Sequence, residues 1–147
     1  LPWGLFILFG GGLSLAAQIS SSGLGIWIGN SLLVLSTVPP ILLILAVATL
    51  IIFLTEITSN VTTTTTFLPV FGALAIAIGV LPVSLTVPVC LAASCAFMLP
   101  VATPPNAIVY GSNKFTIATM MRAGFALNII GILVVTIFAY YFAPLIF

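Results

Sequence analysis

One acid, Glu56, and two bases, Lys114 and Arg122, are the only charged side chains among 147 residues. No water-facing surface can be built from so few, since a soluble domain carries about a quarter charged residues. With 63% of residues hydrophobic and a mean hydropathy of +1.48, the chain must be solvated by lipid or by other apolar protein. Soluble catalysis, nucleic-acid binding and disorder are excluded together, because each needs charge that is missing. The expected fold class is an all-α membrane protein.

The chain begins at Leu1, and no basic stretch precedes its first apolar run, so it reads as part of a longer protein rather than as a signal peptide. Cys90 and Cys95 lie in an apolar run without any histidine in the chain, which favours small buried thiols over a disulfide or metal pair.

Hydropathy divides the chain into blocks. Residues 3–20 are apolar and carry Gly10, Gly11 and Gly12, as expected of a spanning helix with close neighbours. Residues 23–36 are too short and too polar to span, so an interfacial helix held by Trp27 is expected there. Residues 39–82 open with Pro39 and Pro40, run apolar, meet a polar stretch at 55–66, and return apolar from Phe67 to Pro82. The return arm of about 15 residues gives roughly 22 Å of helix, short of a ~30 Å hydrocarbon core. Two arms meeting at a polar tip read as a re-entrant hairpin, its irregular tip lining a wet cavity. Residues 83–113 form a helix broken near 100–106, where Pro104 and Pro105 remove two backbone donors. Residues 117–147 complete the chain as a spanning helix. Lys114 and Arg122 flank one loop, which the positive-inside rule places in the cytoplasm.

Two polar interruptions carry the chemistry. Thr55 and Ser59 are four apart and would share a helical face, offering with Asn60 only hard oxygen ligands. Neutral hard oxygens suit Na⁺. The threonine run 62–66 reads mainly as packing. Glu56 would then point about 100° away from Thr55, which favours a structural hydrogen-bonding role over cation binding or proton transfer. At 100–106, a break within an apolar stretch exposes carbonyls on one side and amides on the other, and both can serve as ligands.

The strings Phe53-Leu54-Thr55-Glu56, Ser59-Asn60-Val61 and Met98-Leu99-Pro100-Val101-Ala102-Thr103-Pro104-Pro105-Asn106-Ala107 resemble the divalent-anion:sodium symporters, which carry dicarboxylates, citrate or sulfate. The resemblance covers essentially the whole chain and matches the C-terminal inverted repeat, one half of the transporter. It implies a scaffold helix, an arm helix, a re-entrant hairpin, a broken helix and a last transmembrane helix. It implies Na⁺ bound by Thr55, Ser59, Asn60 and the Ala102 carbonyl. It places a substrate carboxylate against Asn60, Val61, Thr103, Pro104 and Asn106. Val61 departs from the threonine of bacterial members, so a side-chain hydroxyl is missing there. The resemblance further implies no cofactor beyond the coupling Na⁺, a homodimer working by an elevator-like motion, and residence in the plasma membrane. The second half-site belongs to the N-terminal repeat.

The expected function is therefore Na⁺-coupled symport of di- or tricarboxylates. The rivals are a sulfate carrier of the same family, a channel-like or structural subunit, and a proton-coupled carrier using Glu56. An enzyme is not expected, since no histidine, acid pair or activated nucleophile is present.

Overall fold

A computed structural model describes residues 38–112 and 114–146, with positions 7, 10, 11, 14, 17, 18, 21–23 and 27 before them. The expectations for 3–20 and 23–36 fall mostly outside the described residues. Among those described, all regular structure is helical. The helices are α1 (Pro40–Thr55), α2 (Asn60–Ala77), α3 (Val83–Ala93), α4 (Pro104–Gly111), α5 (Ile117–Tyr141) and α6 (Ala143–Ile146).

α1 and α2 are the arms of a helical hairpin whose turn spans only 56–59. Pro40 starts α1 where the fixed proline φ suits a first turn and the missing N–H costs nothing. Ser59 caps α2, its Oγ accepting from the Thr62 N–H at 3.0 Å. The threonine run therefore lies inside α2 and not in an irregular tip. Thr63 and Thr65 turn their hydroxyls back onto the Ser59 and Val61 carbonyls, so the run is compatible with helix. α2 consequently has 18 residues, or roughly 27 Å, and is long enough to cross a membrane. Its length no longer argues that the return arm is too short. α2 ends in a Schellman turn: Gly79 takes φ 75°, its N–H reaches Ile76 O at 3.2 Å, and Val80 N–H reaches Ala75 O at 3.0 Å.

α3 fills the space between the arms and touches α1, α2 and α5. Its buried line of Leu85, Val89, Ala92 and Ala93 meets Ile44, Val47, Ala48, Ile51 and Ile52 of α1. Ile132, Val135 and Ala139 of α5 close the core. Ala48, Ala92, Ala93 and Ala139 are fully buried, and such small residues let helices approach where lipid supplies no hydrophobic drive. The outer faces carry exposed Leu42, Leu50, Ile76, Phe125, Ile130, Val134 and Ile137. Those faces fit lipid or further apolar protein. α5 and α2 both have the length and apolarity of a membrane span.

Two expectations are corrected here. Cys90 is exposed on α3 and Cys95 half-buried, because α3 presents its alanines and branched residues, not Cys90, to α1 and α5. The last helix stops at Tyr141 and a short α6 follows after Phe142, so 117–147 is not one continuous helix.

Candidate substrate and ion site

The broken segment unwinds earlier than the prolines predict. α3 ends at Ala93, residues 94–103 are non-helical, and Pro104 with Pro105 open α4 as its first two residues. Proline is at home in a first turn, so the pair restarts the helix and does not break it. The break is held by side chains from elsewhere. Glu56, only 3% exposed, accepts at Oε1 from the N–H groups of Phe97 (2.8 Å) and Met98 (2.9 Å), and at Oε2 from Leu99 N–H (3.0 Å). Asn128 of α5 donates to the same Oε1 at 2.7 Å. Asn106 donates its amide hydrogens to the carbonyls of Ala96 (2.9 Å) and Leu99 (3.0 Å). Donors and acceptors freed by unwinding are thus matched by an acid and an amide, which lets irregular backbone exist at membrane depth.

Between this segment and the hairpin turn lies a cleft of about 620 Å³. Of the sequence-predicted site residues, Ser59, Asn60, Val61, Ala102, Thr103, Pro104 and Asn106 all border it. Thr55 does not. It is fully buried behind the cleft, where its hydroxyl can donate to Asn60 Oδ1 (2.8 Å) or Ala93 O (3.0 Å). Thr55 ends α1 and Ser59 caps α2, so the expected shared helical face is replaced by two ends meeting across a turn.

Four helix ends converge. The C-termini of α1 and α3 meet at the contact between Thr55 Oγ1 and Ala93 O, which is partially negative and suits a cation. The N-termini of α2 and α4 face the cleft, which suits an anion. These N-termini are not equivalent. In α4, Pro104 and Pro105 have no N–H, Thr103 Oγ1 takes the Asn106 N–H at 3.4 Å, and Thr103 O takes that of Ala107 at 3.1 Å. In α2, the N–H groups of Asn60 and Val61 have no partner among the described residues. They are the donors offered to a ligand. The missing hydroxyl at Val61 leaves this backbone donor intact.

Sequence reasoning missed Ala93, Ser94, Ala96 and Phe97, which bring a carbonyl and cleft wall to the site. It placed them inside a helix because the apolar run continues through them. Asn106 also changes character: with its amide hydrogens spent on backbone, only its Oδ1 is left for a ligand.

A family profile described as "Sodium:sulfate symporter transmembrane region" matches residues 1–147. The chain is 48% identical over 144 residues to the "Sodium-dependent dicarboxylate transporter SdcS" of Staphylococcus saprophyticus, covering 98% of this chain and 28% of that protein. It is 48% identical over 146 residues to the protein of the same name from Staphylococcus aureus strain MRSA252, covering 99% of this chain and again 28% of the relative. The chain thus spans little more than a quarter of the length of these relatives. With its full length matched and its helical, lipid-suited architecture in agreement, this chain is an integral membrane segment belonging to the sodium:sulfate symporter family.

Proposed function

We propose that this chain supplies one half-site of a transporter that couples Na⁺ to a dicarboxylate. The observation carrying this reading is a cleft bordered by an α2 N-terminus whose first two N–H groups have no partner among the described residues, with the oxygen-bearing C-termini of α1 and α3 meeting behind it. Na⁺ is assigned to Thr55, Ser59, Asn60 and the carbonyl of Ala102, joined by the carbonyl of Ala93. One substrate carboxylate is assigned to the N–H groups of Asn60 and Val61, with Thr103 and Pro104 forming the opposite wall. Asn106 acts on the substrate indirectly, by fixing that wall.

No cation side chain among the described residues borders the cleft. The anion's attraction then comes from bound Na⁺ and from the α2 amides, so substrate affinity depends on sodium, and by linkage sodium affinity on substrate. That mutual dependence is the basis of coupling. Dicarboxylate is favoured over sulfate because the staphylococcal relatives are dicarboxylate transporters by name. A homodimeric, elevator-like transporter in the plasma membrane, with Lys114 and the Arg122-bearing start of α5 on the cytoplasmic side, completes the reading. Proteoliposomes holding the full-length protein should take up labelled succinate only with an inward Na⁺ gradient. Sodium-driven uptake of labelled sulfate with none of succinate would turn the assignment to the inorganic anion. Ohmic, sodium-independent current would turn it to a channel.

Val61→Pro gives a sharper local test. Proline is tolerated in a helix's first turn, as α4 itself shows, and no hydrogen bond among the described residues is lost. Removing that N–H should raise the succinate half-saturation constant roughly tenfold or more, since hydrogen bonds to charged groups contribute about 1.5–3 kcal/mol. An unchanged constant would remove the Val61 amide from the substrate site.

A further inference from the structure

We propose that Gly124 and Asn128 of α5, neither of which touches the cleft, are positioning residues that set the sodium dependence of the site. The inference rests on the site reading above. The two residues are four apart and share one buried face of α5. That face is pressed against the unwound segment. A Cβ at Gly124 would overlap the Phe97 carbonyl oxygen and stand 2.5 Å from the Met98 Cα, both backbone atoms that cannot swing aside. One turn on, Asn128 is fully buried and donates at 2.7 Å to the carboxylate that holds Phe97, Met98 and Leu99.

A short chain of bonds leads from there to the cleft. Leu99 N–H is held by Glu56, and Leu99 O accepts from Ala102 N–H at 3.2 Å and from Asn106 Nδ2 at 3.0 Å. Ala102 and Thr103 then form the wall. Any movement of residues 97–98 away from α5 is therefore transmitted to the Ala102 carbonyl, an assigned sodium ligand. Asn128 also has a constraint of its own. Its Oδ1 is buried with no hydrogen-bond partner among the described residues. What the side chain contributes is therefore its amide, which among the described residues reaches only Glu56. Elsewhere on α5 the packing is looser: at Gly131 an added Cβ would meet Cys95 at an ordinary 3.6 Å.

The test uses the full-length transporter in proteoliposomes, with the Na⁺ half-saturation constant for succinate uptake measured separately from maximal rate, and melting temperature followed in parallel. Gly124→Ala and Asn128→Ala should raise the Na⁺ constant roughly tenfold or more, the scale on which supporting residues tune ion sites. Gly131→Ala should leave it unchanged. Asn128→Ala adds no bulk and leaves Glu56 its backbone bonds, so it reports even if Gly124→Ala does not fold. Lower melting temperature or maximal rate with an unaltered Na⁺ constant would overturn the inference and reduce both residues to packing. Wild-type uptake without sodium dependence would overturn the site reading, and this inference with it.

Discussion

Replacing Glu56 with leucine should leave a protein that does not survive purification, and Glu56→Gln one that folds but melts early. The carboxylate accepts from three backbone N–H groups and the Asn128 amide, with no basic partner to share the charge among the described residues. Hydrogen bonds to a charged group contribute roughly 1.5–3 kcal/mol each, and a buried donor left unsatisfied costs about 1–3 kcal/mol. Losing all four therefore approaches the whole stability of an ordinary domain, about 5–15 kcal/mol. Glutamine keeps the shape but turns one acceptor into a donor, which faces at least one N–H with another N–H. A loss of about 2–4 kcal/mol is expected for it, read as a lower melting temperature of the purified full-length protein. The same variant separates anchor from proton carrier. Glu56 does not border the cleft and is surrounded by donors, so Glu56→Gln protein that still transports should stay sodium-coupled. Selective loss of pH coupling with unchanged melting would reverse the assignment.

Thr55→Val should spare the fold and damage the ion site. Valine nearly matches threonine in volume, and the missing hydroxyl bond costs roughly 1 kcal/mol. What disappears is the oxygen that sets Asn60 Oδ1 (2.8 Å) against Ala93 O (3.0 Å) where α1 and α3 end. With that group gone, the Na⁺ half-saturation constant should rise by roughly 10- to 100-fold. Thr55→Ser keeps the hydroxyl and should restore sodium affinity to near the original. If valine and serine variants behave alike in Na⁺ titrations, the Thr55 hydroxyl is no ligand.

Much of this architecture was legible in the residues. Near-absence of charge dictated lipid, Pro40 marked the start of α1, and the polar residues after Leu54 marked the hairpin turn. The residues from Ser59 to Val61 and from Ala102 to Asn106 border one cleft. The break itself was misplaced. Hydropathy cannot see that residues 94–103 unwind, because Ala96, Phe97, Met98 and Leu99 are as apolar as any helix interior. Their unwinding depends on Glu56, more than forty positions away, whose carboxylate takes the N–H groups that helix bonds would have used. Local pattern likewise mistook Pro104 and Pro105 for the interruption when they begin the next helix. The threonine run shows the same limit. Read as packing, it was left out of the return arm, yet it lies within α2, where Thr63 and Thr65 satisfy themselves on backbone carbonyls.

The proposal that the cleft joins sodium to an anion is most directly tested by calorimetry. Succinate should be titrated into the purified full-length protein in NaCl and, at equal ionic strength, in choline chloride. The account predicts measurable binding in sodium and none in choline, with affinity in sodium weakened by Thr55→Val and restored by Thr55→Ser. Equal binding in the two salts would contradict it.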